Sequence, residues 1–263
     1  MQQRHLCLTE MFFVFALAAC SGMPETTAGK RVILASRLDA MPEAAAPFAN
    51  AKGWRISLSE ARMSAGPFYY FEGSVLLAES TPPIRPLWHR ALGIRDAWAH
   101  PGHYIPGQAR GEMLTPSDNI DLRAGVVALA TGAGVSGSMG SATFTFGAPD
   151  PGRAVIRLSG TATKGAIQRV FSAKVMQSEL LNANGASRVE GCPFEPVNLQ
   201  QDGTVVVHVS LSVWFDQVEF QDVPEGSEAA PTELVVAMVA HNALLRGIKA
   251  SDGYLFKFTK ESP

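Results

Sequence analysis

The chain has 263 residues, a formal net charge of −2 and 17% charged residues, so it lacks the excess of Lys and Arg that nucleic-acid binding requires. Beyond Cys20 it contains no apolar run of ~20 residues, and the sequence therefore predicts no membrane-spanning helix in that part. A chain of this length buries most of its apolar surface, which permits one domain with a large core.

The first segment has the form of a secretory signal. Arg4 precedes an apolar run over residues 11–19, MFFVFALAA, that is too short to span a bilayer. The run ends in Leu17-Ala18-Ala19-Cys20, an order that resembles the lipobox of bacterial lipoproteins. The resemblance implies cleavage of a signal peptide over residues 1–19, lipid on Cys20 and, because Ser21 follows, a preference for the outer membrane. The alternative is an ordinary signal peptide with a chance cysteine.

The residues after Cys20 predict a tethered domain without disulfides. Residues 20–30 are rich in Ser, Gly, Pro, Glu and Thr, a composition typical of a flexible tether. Of the three cysteines, Cys7 leaves with the signal and Cys20 carries lipid, so only Cys192 remains. A lone thiol forms no intrachain bridge, and Cys192 is expected to be a small buried residue.

Strand signals dominate residues 31–263. Apolar and polar residues alternate in WRISL (54–58), ATFTF (142–146), RAVIRLSG (153–160) and AIQRVFSAKV (166–175), and this alternation is typical of half-buried strands. Segments rich in Gly, Asn, Asp and Pro separate them. The pattern predicts a single, mainly β domain, an antiparallel β-sandwich or barrel-like fold.

Three further segments are predicted to form one long strand and two helices. The alternation in TVVVHVSLSVWFDQVEF (204–220) predicts one long strand with Val205, Val207 and Val209 on its apolar face and His208 and Asp216 opposite. Apolar residues recur every three or four positions in PTELVVAMVAHNALLRGI, which predicts a C-terminal helix over 232–247 with His241 as a hydrogen-bonded core residue. A short helix is predicted near 84–95.

Two of the six histidines flank a Pro-Gly pair in His100-Pro101-Gly102-His103. Proline followed by glycine is typical of a type II turn, whose first and fourth Cα atoms lie within ~7 Å. Two imidazoles held that close can bind one ion, and nitrogen ligands suit copper or zinc better than calcium or magnesium. The sequence therefore predicts a metal site at this turn.

A complete site needs further ligands. Glu112 is the nearest candidate carboxylate, and His208 is the candidate from a distant part of the chain; Met113 is of interest only for reduced copper. The competing interpretation is a purely structural turn that binds nothing. Catalysis is a third interpretation, in which Glu112 would be the base for a metal-activated water. Apart from this, no catalytic motif is present, and GAGVSGSMGSA (132–142) is interpreted as a hairpin loop because no serine lies in G-x-S-x-G register.

Two segments resemble a known group. GWRISLSEARMSAGPFYYFEG (53–73) and AHPGHYIPGQARGEML (99–114) resemble a group of uncharacterised bacterial lipoproteins in which a W-x-I-x-L-x-x-A strand precedes a His-Pro-Gly-His loop. More remotely, the chain is similar to exported β-sandwich copper proteins of methanotrophs. The first resemblance implies location at the cell envelope, and the second favours copper over other metals.

These features together predict a lipid-anchored envelope lipoprotein that binds or handles a transition metal, copper ahead of zinc, without being an enzyme. The predicted ligands are His100, His103, Glu112 and His208. The predicted partners are the membrane, reached through the lipid, and a metal transporter or another envelope protein. The rival prediction is a non-catalytic envelope scaffold or ligand-binding lipoprotein in which the His-Pro-Gly-His turn is structural.

Overall fold

The computed structural model describes residues 29–40, 42–73, 107–147 and 152–260. From Arg31 onward the chain forms one compact unit. Several predicted features lie outside the described residues: the signal peptide (1–19), Cys20 and most of the tether (20–30), the helix near 84–95, and both His100 and His103.

Fourteen strands form one mixed sheet. The strands are β1 (Arg31–Asp39), β2 (Phe48–Ala49), β3 (Arg55–Phe71), β4 (Ala109–Met113), β5 (Ser117–Asp121), β6 (Val127–Ala128), β7 (Gly132–Val135), β8 (Gly137–Phe146), β9 (Ile156–Lys164), β10 (Ile167–Val175), β11 (Arg188–Leu199), β12 (Gly203–Val209), β13 (Thr232–Leu234) and β14 (Tyr254–Lys260).

Eight of these strands close into a ring. They follow the order β3, β4, β7, β1, β12, β14, β11, β8, and β8 pairs back to β3, for example through Phe68 and Phe144. β9, β10 and β13 extend the sheet from the first half of β3. The predicted mainly β, sandwich- or barrel-like single domain is confirmed. The pairs β1–β12, β10–β13 and β11–β14 are parallel, whereas the sequence predicted antiparallel pairing throughout.

Aromatic side chains fill the space inside the ring. Phe144 stacks on Tyr254 at a centroid distance of 4.3 Å and lies 5.0 Å from Phe68. The inward positions predicted from alternation, including Trp54, Ile56 and Phe146, are buried. Close packing of this kind is characteristic of a protein core, so the centre of the ring is structural.

Residues 204–220 do not form the single strand that their alternation predicts. β12 ends at Val209, and Leu211–Phe215 form a short helix, α1. Leu211, Trp214 and Phe215 are buried, and their spacing of three and four residues places them on one helical face. Trp214 therefore packs in the core instead of lying on the polar face of a strand.

The predicted helix over 232–247 is wrong in its first part. Thr232–Leu234 form β13, which pairs in parallel with Phe171–Ala173, and the helix α2 spans Val239–Ile248. The free edge of β10 offers backbone hydrogen bonds to residues 232–234, and a strand there buries Leu234.

The segment 132–142, interpreted from sequence as a hairpin loop, instead contributes β7 and β8, which pair with other strands.

Candidate functional site

The segment that carries the His-Pro-Gly-His motif leaves and rejoins the sheet at neighbouring points. The Glu72 N–H donates to the Gln108 carbonyl at 3.0 Å, just beyond the last β3–β4 pair. A Cβ added at Gly107 would lie 3.1 Å from the Gly73 nitrogen, so these backbones are in contact. We call Glu72, Gly73, Gly107 and Gln108 the loop base. Residues 74–106 therefore connect two residues, Gly73 and Gly107, that are in contact, and we call this connecting segment the excursion.

An ion pair supports the loop base. Arg110 Nη2 contacts Glu72 Oε2 at 2.8 Å, and the Arg110 side chain is only 19% exposed. Because Arg110 is on β4 and Glu72 follows β3, the contact joins the two strands from which the excursion departs. It also neutralises the carboxylate closest in sequence to the start of the excursion.

Glu112 is the predicted ligand that lies nearest the loop base. It is exposed on β4, opposite Tyr69 on one side and Ala133 on the other. Among the described residues, its carboxylate has no ion-pair or hydrogen-bond partner. An unpaired carboxylate on the strand that continues from the loop base is available to an incoming cation.

His208 lies at the other end of the ring. Its Nδ1 is 3.3 Å from Asp39 Oδ2, and the side chain is 40% exposed. His208 pairs with Asp39 in β1. Glu112 pairs with Ala133 of β7, which in turn pairs with Ile33 of β1, so Glu112 lies level with Ile33. Ile33 and Asp39 are roughly 20 Å apart along β1. Since zinc ligands bind at ~2.0–2.2 Å, one ion cannot contact both Glu112 and His208.

The described residues contain no assembled metal centre. Across these ranges, no three His, Cys, Asp or Glu side chains are grouped so that they could hold an ion. Met113, considered as a ligand for reduced copper, is fully buried in the core. His100 and His103 lie outside the described residues, so the histidine-pair hypothesis stays a prediction.

His241 has the structural role that the sequence predicts for it. Its ring is 2% exposed, with Nδ1 2.9 Å from the Leu234 carbonyl and Nε2 2.7 Å from Glu179 Oε1. A carbonyl oxygen can only accept, so Nδ1 carries a proton that it donates to Leu234. His241 thereby ties α2 to β13 and to the 3₁₀ helix Gln177–Leu180.

A comparison of this chain with models of protein families, with curated proteins and with solved structures found no match. In the part of the chain that the structure describes, no helix has the length and apolar character needed to cross a bilayer.

Sequence reasoning missed one group of polar residues. From the sequence, Asp216 was placed on the same strand face as His208, but it caps the C-terminal end of α1. There it shares a surface cavity with Arg246 of α2 and with Asp252, and neither of these was predicted to be a site residue from the sequence. The cavity exists only because two helices pack together, so no local pattern could have found it.

Proposed function

We propose that this protein is an exported, lipid-anchored envelope lipoprotein that binds a transition metal, copper ahead of zinc, through His100 and His103. The observation that carries the proposal is the His-Pro-Gly-His sequence within an excursion whose ends meet at the loop base. A Pro-Gly turn brings its two flanking residues together, and two neutral imidazoles are good ligands for copper and zinc. The proposed role is capture of the ion, without turnover.

Glu112 is the third ligand in this proposal. His103 precedes Gly107 by four residues, so its Cα lies within ~14 Å of the loop base. This distance is long enough for His103 to reach the part of β4 that carries the unpaired Glu112 side chain. His208 is left out, because Asp39 contacts it at the far end of β1 and His103 cannot reach that position.

The proposed lipid on Cys20 would hold the site near a membrane. Residues 20–30 join Cys20 to the start of β1, and a stretch of this length spans at most ~35 Å. β1 begins on the side of the ring where β4 leaves the loop base, since Val32, Gly134 and Gly111 lie in one row across three strands. A metal transporter or another envelope protein at the outer membrane is the proposed partner.

The metal proposal predicts that purified mature protein retains about one copper or zinc ion per chain after dialysis, and that the double variant His100→Ala/His103→Ala retains none. Glu112→Gln should weaken binding on the order of tenfold, about 1.4 kcal/mol. Elemental analysis and competition with a chelator of known affinity measure both effects. Copper should be tested in both oxidation states, with zinc in parallel.

His208→Ala is the matched control, because it removes an imidazole at the opposite end of the ring. Its metal content should equal that of the wild type. Metal retained by the double variant would contradict the proposal, as would metal lost from His208→Ala.

The anchor is tested separately. In cells, Cys20→Ala should move the protein from the membrane fraction to the soluble fraction, since the acyl chains supply the membrane affinity. Mass spectrometry of the wild-type N-terminal peptide should show lipid on Cys20. A Cys20→Ala variant that stays in the membrane fraction would contradict lipid anchoring while leaving the metal proposal standing.

The second candidate function is a non-catalytic envelope scaffold or ligand-binding lipoprotein. It is favoured by one observation, that Glu112 and His208 lie at opposite ends of β1 and so cannot both join a site at the turn. Metal-free wild-type protein in the experiment above would support it. A hydrolase with Glu112 as base is a separate class, and it requires activity on ester or phosphoester substrates that His100→Ala/His103→Ala lacks.

A further inference from the structure

A surface cavity of about 350 Å³ lies between α1, α2 and the residues that follow α2. This volume falls in the range of sites for small molecules. Small residues line much of it: Ala49, Ala243, Gly247 and Ala250. Their size leaves room for a ligand that larger side chains would occupy.

The packing of the two helices fixes the width of this cavity. A Cβ added at Gly247 would lie 2.3 Å from the Trp214 carbonyl oxygen, so α1 and α2 approach as closely as a glycine allows. Trp214 itself is fully buried. The helices that form the cavity walls are therefore held in place by their packing against the core.

Charges of opposite sign face the cavity without neutralising each other. Arg246 comes from the last turn of α2, Asp216 from the end of α1, and Asp252 from the 3₁₀ helix Ser251–Gly253. Among the described residues, no ion pair or hydrogen bond engages Arg246 or Asp252. Asp216 accepts only from the neighbouring Gln217 amide, at 2.6 Å.

A ligand with two opposite charges matches this arrangement better than a ligand with one. The guanidinium of Arg246 can donate two parallel hydrogen bonds to a carboxylate or a phosphate. The aspartates can accept from an ammonium group. Each contact alone is weak at an exposed site, whereas a molecule that bridges both walls makes the two contacts together.

We infer that this cavity binds a small zwitterion, a molecule that carries an ammonium group and a carboxylate or phosphate group. Arg246 holds the anionic end, and Asp216 and Asp252 hold the ammonium end. Free amino acids and the phosphoethanolamine headgroup share this chemistry. The site is independent of the metal proposal, because its charged groups lie on α1, α2 and the 3₁₀ helix, and Glu112 is not among the described residues that line it.

Isothermal titration of the mature protein with matched ligands tests the inference. The probes are L-leucine and O-phosphoethanolamine, together with isoamylamine and isocaproate, which each keep one charge of leucine. At least one zwitterion should bind at least about tenfold tighter than both singly charged analogues, a difference of about 1.4 kcal/mol. Preference for leucine identifies an amino-acid site, and preference for O-phosphoethanolamine identifies a headgroup site.

Variants locate the binding. Arg246→Gln should reduce zwitterion affinity to that of isoamylamine, and Asp216→Asn/Asp252→Asn should reduce it to that of isocaproate. Lys249→Gln is the matched control: this exposed cation follows α2, contacts the Leu181 carbonyl at 3.3 Å and lines a different cavity. Ala49→Trp should block the cavity from its exposed edge. Zwitterions that bind no better than their singly charged analogues would overturn the inference, as would full affinity in Arg246→Gln.

Discussion

Above pH ~10, the free energy of unfolding should fall steeply, by about 4 kcal/mol for each further pH unit. Three groups are held neutral in the core: the hydroxyls of Tyr70 and Tyr254 and the thiol of Cys192. Burial raises the pKa of the Cys192 thiol to about 12. Burial also raises the pKa of Tyr70 and of Tyr254, and the nearby Cys192 thiolate adds to the rise for Tyr254.

The direction of this effect follows from proton binding. Each pKa is higher in the folded state than in the unfolded chain, where Cys ionises near ~8.5 and Tyr near ~10. The stabilisation is fully present below those values and is lost as the pH rises toward the folded-state values. Each group contributes about 1.4 kcal/mol per pH unit in that window, which gives about 4 kcal/mol for three groups. Ionised Tyr254 also loses the hydrogen bond that it donates to the Ile248 carbonyl at 2.6 Å.

Urea unfolding between about pH 7 and about pH 11.5 measures the slope. Tyr70→Phe and Cys192→Ala should each reduce it by about 1.4 kcal/mol per pH unit. Tyr69→Phe, on the same strand at a half-buried position, is the control for loss of a hydroxyl. A stability that stays level through pH ~11 would show that these groups are not buried as described.

Replacement of His241 by leucine should lower the free energy of unfolding by about 3 kcal/mol. Leucine fills a similar volume but donates no hydrogen bond. The Leu234 carbonyl and Oε1 of Glu179, whose side chain is only 17% exposed, would lose the ring nitrogens that now lie at 2.9 and 2.7 Å, while Oε2 of Glu179 keeps the N–H of Met176. Chemical denaturation at neutral pH measures the loss.

A double-mutant cycle separates this pair from simple loss of packing. In His241→Leu/Glu179→Gln the total loss should be smaller than the sum of the single losses by about 1–2 kcal/mol, because both single variants break the same His241–Glu179 contact. His208→Leu is the matched control, since it removes a 40% exposed ring from its contact with Asp39 and should cost less than about 1 kcal/mol. Equal losses for His241→Leu and His208→Leu would contradict the structural role of His241.

The proposed metal site and the proposed zwitterion site are built in different ways. The loop base joins the two strands that flank residues 74–106, and the proposed metal ligands are close in sequence. The cavity beside α1 takes its charged groups from three separate elements. A motif can therefore point to the first kind of site, whereas only coordinates can reveal the second.

The mainly β class and much of the core could be predicted from local patterns, because alternation directly reports which face of a strand is buried. It placed Trp54, Ile56, Phe144 and Phe146 correctly, and it predicted both the burial of Cys192 and the core role of His241. Each of these predictions depends on a local period or on the neighbours of one residue.

Contacts between distant segments set the features that local patterns leave open. Leu211 and Phe215 share one face of either a strand or a helix, whereas Trp214 joins them only on a helix, and the burial of all three selected the helix. Thr232–Leu234 form a strand because the edge of β10 at residues 171–173 is free to pair with them. The sequence of residues 232–247 alone holds no information about that edge. Closure of the ring, and the separation of Glu112 from His208, likewise follow from strand pairing between distant segments. Pairing partners are set by the free energy of the whole sheet, and no single segment encodes them.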